Sequence, residues 1–248
     1  LLDRKDLEAL MPGCRLGPAV LGASFDPADG HVDPLTTFRA MHAGVHAHGG
    51  TYLPGAPVNA IDRQGGDFLV SRADGSRLRA AKIVIAAGVA TTKLAAMVGL
   101  DVPVRPVRGQ NIVTERLAPM LPLPASALRQ TADGTVQIGV TSEDDGRFDV
   151  PTTNAALAKM AQRAIRVLPP LAQANMVRTW AGLRPMTPDG YPAYAESETH
   201  PGAYVAVCHS GVTLAAVHAG PFAEGILAGR LPDLAAELHP RRFHVQAH

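Results

Sequence analysis

The sequence predicts a mixed α/β fold, and three observations predict it. Residues 82–87 read as a short strand, continuously apolar from Ile83 onward, the pattern of a strand covered on both faces. Ahead of it, strand-like segments 58–63, 67–73 and 77–79 are separated by Gly65-Gly66 and Asp74-Gly75, turn dipeptides that suit an antiparallel meander. Segments with helical signals flank these strands, so both structures share one chain.

Taken in order, residues 3–10 read as a short helix stopped by Pro12-Gly13, and 19–25 as a strand. Asp33-Pro34 marks a helix entry, because the N–H that proline lacks is not needed in a first turn. That helix runs over 36–48 and stops at Gly49-Gly50. Gly88 ends the 82–87 strand, and 92–99 reads as a helix. From 102 to 139 the pattern is mostly strands, clearest over 104–114 and 135–140. Residues 153–168 form a helix with Ala156, Leu157, Met160, Ala164, Ile165 and Val167 apolar, stopped by Pro169-Pro170. A strand over 177–183, a proline-rich connection through Pro192, a strand over 204–207 and a helix over 211–227 follow. Pro221 inside that last helix predicts a kink. Little pattern remains after Pro232.

Composition bounds the function classes. A chain of 248 residues, 46% hydrophobic, buries a substantial core in one large domain or two small ones. A net charge of +1 without a basic block argues against nucleic acid or an anionic membrane as partner. Two cysteines, Cys14 and Cys208, are too few for a disulfide framework and fit a reducing, cytoplasmic compartment. No apolar run approaches the ~20 residues of a membrane span, so any membrane association would be peripheral. The start, Leu1-Leu2-Asp3-Arg4-Lys5, lacks the apolar core of a signal peptide and an initiator Met. The expectation is a piece of a longer chain.

Four places could carry chemistry. The end of the apolar strand, Ala86-Ala87-Gly88, lets a ligand approach the backbone where no large side chain obstructs it. A plain core strand ended by a turn explains the same residues, and alone explains them better. The segment from Cys208 through His209, Ser210, Gly211, Val212 and Thr213 to Leu214 reads as a tight turn into a helix, with Ser210 as its cap. Free N–H groups there would favour negative charge, although most helix starts bind nothing. Arg184, in Trp180-Ala181-Gly182-Leu183-Arg184-Pro185, could offer a planar fork to a carboxylate, and could equally be a surface arginine. His42 and His46 share a helix face, with His48 nearby. No third ligand has a recognisable spacing, so no metal is expected.

In this order the segments resemble the D-amino-acid oxidase-like flavoproteins, which include glycine oxidase, sarcosine oxidase and the D-amino-acid dehydrogenases. The likeness spans about residues 30–227. Trp180 to Pro185 with Thr187, Asp189-Gly190 and Pro192 is similar to that family's W-x-G-x-R-P-x-T-x-D-G-x-P block. Gly30-His31-Val32-Asp33-Pro34, Ala86-Ala87-Gly88, Pro106-Val107-Arg108-Gly109-Gln110 and the stretch from His209 to Leu214 resemble its other blocks.

The resemblance implies an incomplete FAD-binding Rossmann-like domain (30–100 and 198–235, first β-α unit missing), with an interleaved substrate-binding domain on an antiparallel or mixed sheet (1–29 and 101–197) and a tail over 236–248. It implies FAD as cofactor, held by the backbone of Val58, by Ala87 and Gly88, and by His209, Ser210, Gly211, Val212, Thr213 and Leu214. Arg184 would bind the carboxylate of a small amino-acid substrate and Arg129 would help. The reaction implied is oxidation of a C–N bond in a D-amino acid, glycine, sarcosine or an opine-like compound. The family's G-x-G-x-x-G is absent here, since Gly17-Pro18-Ala19-Val20-Leu21-Gly22 does not fit it. Two alternatives follow: a truncated, non-catalytic fragment, or one component of a multi-subunit amine or opine dehydrogenase. A homo-oligomer or a partner subunit is expected.

Overall fold

In the computed structural model, residues 1–125 and 127–244 are described. The strands are β1 (Leu2–Asp3), β2 (Gly22–Ala23), β3 (Val58–Gln64), β4 (Asp67–Arg72), β5 (Arg77–Ala80), β6 (Ile83–Ile85), β7 (Arg105–Arg116), β8 (Leu128–Gln130), β9 (Thr135–Gly139), β10 (Met176–Met186), β11 (Ala193–Glu196) and β12 (Ala203–Val207). The helices are α1 (Arg4–Leu10), α2 (Pro34–Ala47), α3 (Thr91–Ala96), α4 (Asn154–Val167), α5 (Ala215–Val217), α6 (Ala223–Ala228) and α7 (Asp233–Glu237). The predicted mixed α/β class is the class observed. Compactness divides the chain into a first unit of residues 1–52, 108–143 and 149–182 and a second of 53–107, 144–148 and 183–248. These bounds differ from the expected domains: 30–52 groups with the first unit and 183–197 with the second.

The first unit is built on a sheet ordered β10-β7-β9-β8, with β7, β9 and β8 antiparallel in turn. Helix α4 packs on β9. The side chain of Thr153 caps it by accepting from the Ala156 N–H. Met160 and Ala164 turn inward and join Ile112, Leu128, Val136 and Ile138 in the core. Asp33 caps α2 with Pro34 in its first turn, as expected, but none of that helix is buried. Leu35, Phe38 and Met41 are 76%, 63% and 57% exposed, a bare apolar stripe at helical spacing. The strand expected over 19–25 shrinks to β2, which among the described residues pairs with the two-residue β1 alone.

In the second unit, β3, β4 and β5 form the predicted meander. Gly65 and Gly66 both take positive φ, which a two-residue hairpin turn of this hand requires. A second sheet is ordered β11-β12-β6, with β12 and β6 parallel. Phe68, Ile85, Val98, Val102 and Val205 share its core. Between the proline-rich connection that ends at Pro192 and β12 lies β11, which was not expected. Residues expected to be a tail are structured as far as His244, with α7 and a 3-10 turn over Pro240–Phe243. The last four, 245–248, lie outside the described residues.

Candidate functional site

The parallel register of β12 and β6 fixes where the functional segments meet. Ala203 pairs with Ile83 and Val205 with Ile85. The two carboxyl ends, Ala86-Ala87-Gly88 and Ala206-Val207-Cys208, therefore emerge side by side. Gly88 sits at φ +55, a left-handed backbone that favours glycine. A cavity of about 480 Å³ opens there, lined among others by Val84, Gly88, Cys208, His218 and Phe222. Val58 opens β3 and packs, like Ala87, against the core around Ile85. The expected cofactor residues Val58, Ala87 and Gly88 thus share one neighbourhood.

After Cys208 the chain makes a turn rather than a helix. His209, Gly211, Val212 and Thr213 are exposed, and Ser210 and Leu214 half-buried. Helical structure starts only at Ala215, which corrects the expected start at 211. Ser210 is not a side-chain cap: its hydroxyl lies 3.1 Å from His209 Nδ1, while its carbonyl accepts from the Leu214 N–H. Among the described residues, the N–H groups of Gly211, Val212 and Thr213 have no hydrogen-bond partner. Three consecutive free amides carry partial positive charge. A Cβ built on Gly211 would meet nothing within 4 Å, so the space beside this backbone is open.

Pro221 produces a π-turn over His218–Phe222 instead of a simple kink. The turn aims His218 at buried Tyr194, with Nε2 2.8 Å from the phenol oxygen. Burial pushes the Tyr194 phenol up to about 12, with Cys208 nearby adding to it. Burial also lowers His218 and raises the Cys208 thiol. Both groups are thereby held toward their neutral forms, and the tautomer of the imidazole sets which of the two donates. Sequence reasoning missed His218, because a lone histidine in a helical pattern carries no signal.

Arg184 is half-buried near the end of β10. Its neighbour Pro185 places a ring carbon 4.0 Å from where a Cβ on Gly88 would stand, which ties this segment to the end of β6. The block after it is held by Arg242, another residue that the sequence did not reveal. Arg242 Nε is 2.7 Å from Asp189 Oδ2 and its Nη2 donates to the Pro192 carbonyl at 2.9 Å. The Arg242 guanidinium, above all, holds the Asp189 carboxyl below the usual carboxylate range. Thr187 closes the turn by donating to the Tyr191 carbonyl at 2.6 Å.

Arg129 lies in the first unit on β8, with Nη1 donating to the Val32 carbonyl. Its Nε and Nη2 are buried and have no hydrogen-bond partner among the described residues. His42 and His46 make an edge-to-face contact at 4.8 Å, and no group of three metal-ligating side chains exists among the described residues. No helix among the described residues is long and apolar enough to cross a membrane.

The family model described as "FAD dependent oxidoreductase" (DAO) matches residues 1–224. An opine oxidase subunit of Agrobacterium tumefaciens (strain Ach5) is 41% identical over 246 residues, covering 99% of this chain and 65% of that protein. The chain therefore spans less than two thirds of that relative. Hydrogen cyanide synthase subunit HcnC of Pseudomonas aeruginosa is 36% identical, over 77% of this chain and 46% of its own length. The crystal structure of glycine oxidase from Geobacillus kaustophilus superposes with a TM-score of 0.85 at 25% identity, over 94% of this chain and 63% of that one.

Proposed function

Because this chain belongs to the DAO family of FAD-dependent oxidoreductases, we propose that it forms the larger part of an enzyme that oxidises the C–N bond of a small amino acid or N-substituted amino acid. One observation carries the reading: the parallel ends of β6 and β12 set Gly88 beside the strand that leads into three free amides at 211–213. Open backbone at Gly88 and Gly211 fits the close approach of a planar ring, and the amides fit its negatively charged edge. FAD, when bound, supplies the hydride acceptor. The residues of this chain supply position and field.

Arg184 anchors the substrate carboxylate through a charge-assisted pair and so presents the C–N bond in one orientation. Arg129 helps hold substrate. Val58, Ala87, Gly88 and the residues from His209 to Leu214 hold the cofactor. In the cofactor-loaded protein, Arg184→Ala raises KM steeply for carboxylate substrates. Equal kinetics with and without the guanidinium would remove the assignment. Purified protein reconstituted with FAD shows the visible flavin bands. A colourless protein that resists reconstitution favours the reading as a non-catalytic fragment.

A grip on the pyrophosphate is the part these residues do not supply. Among the described residues β6 pairs with β12 alone, and its other edge is available to a further β-α unit. The bare stripe of α2 offers a second surface to cover. These features, with relatives named as subunits of opine oxidase and hydrogen cyanide synthase, support the reading as one component of a multi-subunit dehydrogenase. Co-purification with its partner tests this. Two free thiols fit a cytoplasmic site.

A further inference from the structure

An arginine rarely keeps two buried N–H groups unpaired, because a desolvated cation without partners is costly. Arg129 does. One side of its guanidinium is anchored, with Nη1 on the Val32 carbonyl. The two nitrogens left over, Nε and Nη2, are closed to solvent and have no partner among the described residues. They are the two that share one edge of the guanidinium, and their N–H bonds run parallel. That edge matches the two oxygens of a carboxylate, which is the usual bidentate geometry.

The surroundings hold this edge in place. Arg129 pairs with Gln137 across β8 and β9. The next residue, Gln130, is fixed by bonds from the Met120 and Leu121 amides at 2.8 and 3.0 Å and by its own bond to the Ala118 carbonyl at 3.0 Å. Asp33, held below the usual carboxylate range first by its hydrogen bonds with Thr36, is lowered a little further by the Arg129 charge. Asp33 is already committed, accepting at 2.7 Å from the Thr36 amide as the cap of α2. The fork is therefore orientated, charged and short of an anion.

We propose that the Nε/Nη2 edge of Arg129 is a carboxylate-binding site of the first unit, admitted by local movement of the covering chain and desolvated once filled. The site extends the reading that Arg129 helps hold substrate, but it does not require that reading. Its carboxylate has two potential sources: an amine dicarboxylate or a plain organic acid. The first would make the ligand class N-carboxyalkyl amino acids.

Titration calorimetry on the purified protein tests this, with iminodiacetate, N-ethylglycine, succinate and inorganic phosphate as probes. The proteins are wild type, Arg129→Gln, Arg129→Lys and Arg184→Gln. Wild type is expected to bind iminodiacetate or succinate, and Arg129→Gln to weaken that binding about tenfold to a hundredfold, the range of a charged bidentate bond. Arg129→Lys keeps the charge and the anchor but loses the fork, and recovers only part of the affinity. This variant also guards against misfolding of the glutamine form. Iminodiacetate binding that depends on Arg129, with no such dependence for succinate or N-ethylglycine, identifies an amine dicarboxylate as the source. Succinate binding that depends on Arg129 but not on Arg184 identifies a separate acid. The proposal is overturned if neither dicarboxylate binds wild type, if Arg129→Gln changes neither affinity, or if phosphate binds equally well. Indifference of every ligand to Arg184→Gln would count against the carboxylate anchor of the proposed function and leave the Arg129 site standing.

Discussion

Replacing Glu143 by glutamine should destabilise the first unit by about 2 kcal/mol. Glu143 accepts from Arg108 Nε at 3.0 Å and Nη2 at 2.7 Å on one oxygen, and from Gln110 Nε2 at 2.7 Å and Thr141 Oγ1 at 2.6 Å on the other. A glutamine has one acceptor oxygen, so one pair of donors loses its partner. The Thr141 hydroxyl can turn and accept, but the Arg108 fork and the Gln110 amide cannot. A hydrogen bond to a charged group contributes about 1.5–3 kcal/mol. The Arg108 side chain is only 6% exposed, so little water replaces the loss, while Glu143 at 25% recovers some. Asp149, 3.5 Å from Arg108 Nη1, keeps part of the compensation. The assay is thermal unfolding of wild type and variant, where a loss of this size lowers Tm by about 4–8 °C in a chain of this length. The Thr141 hydroxyl, followed by Arg108 and Gln110, holds the Glu143 carboxyl below its usual range. A depressed carboxylate contributes stability above the unfolded value of about 4.3 and loses it as pH falls. The gap between the two proteins should therefore narrow on acidification. A variant within about 0.5 kcal/mol of wild type near neutral pH would refute the network as a stabilising element. So would a gap that widens in acid.

Three further outcomes follow from the second unit. Arg242→Ala should cost about 1 kcal/mol by freeing Asp189, and the loss should appear above pH ~4 and fade below it, as urea unfolding across pH will show. Gly88→Val, forced into a left-handed backbone, should cost about 1–2 kcal/mol and abolish reconstitution with FAD; retention of the flavin bands would show that nothing approaches that backbone. His218 is half-buried with its folded pKa depressed, so its contribution is present above the unfolded value of ~6.5 and lost as pH falls below it. His218→Gln should remove that part of the acid sensitivity measured by thermal unfolding.

Much of the fold could be read from the sequence where the cause is local. The caps Asp33 and Thr153, the two-glycine turn at 65–66 and the apolar run ending at Gly88 each carry their reason within a few residues. Strands β8 and β11 were not legible, because three or four residues show no period and depend on partners elsewhere. Pro221 predicted a disturbance, but its form, a π-turn that delivers His218 to Tyr194, depends on a contact 24 residues away. Ser210 was misread because its hydroxyl had two partners to choose from and took the neighbouring imidazole. The orphaned edge of Arg129 is visible only once the sheet has closed over it.

The clasp between Arg242 and Asp189 joins residues 53 apart. A ribosome delivers the Arg184 block long before the guanidinium that fastens it, and domains consolidate as they emerge. The loop after Arg184 is thus fastened only once residue 242 has left the exit tunnel, later than the strands on either side of that loop have been made.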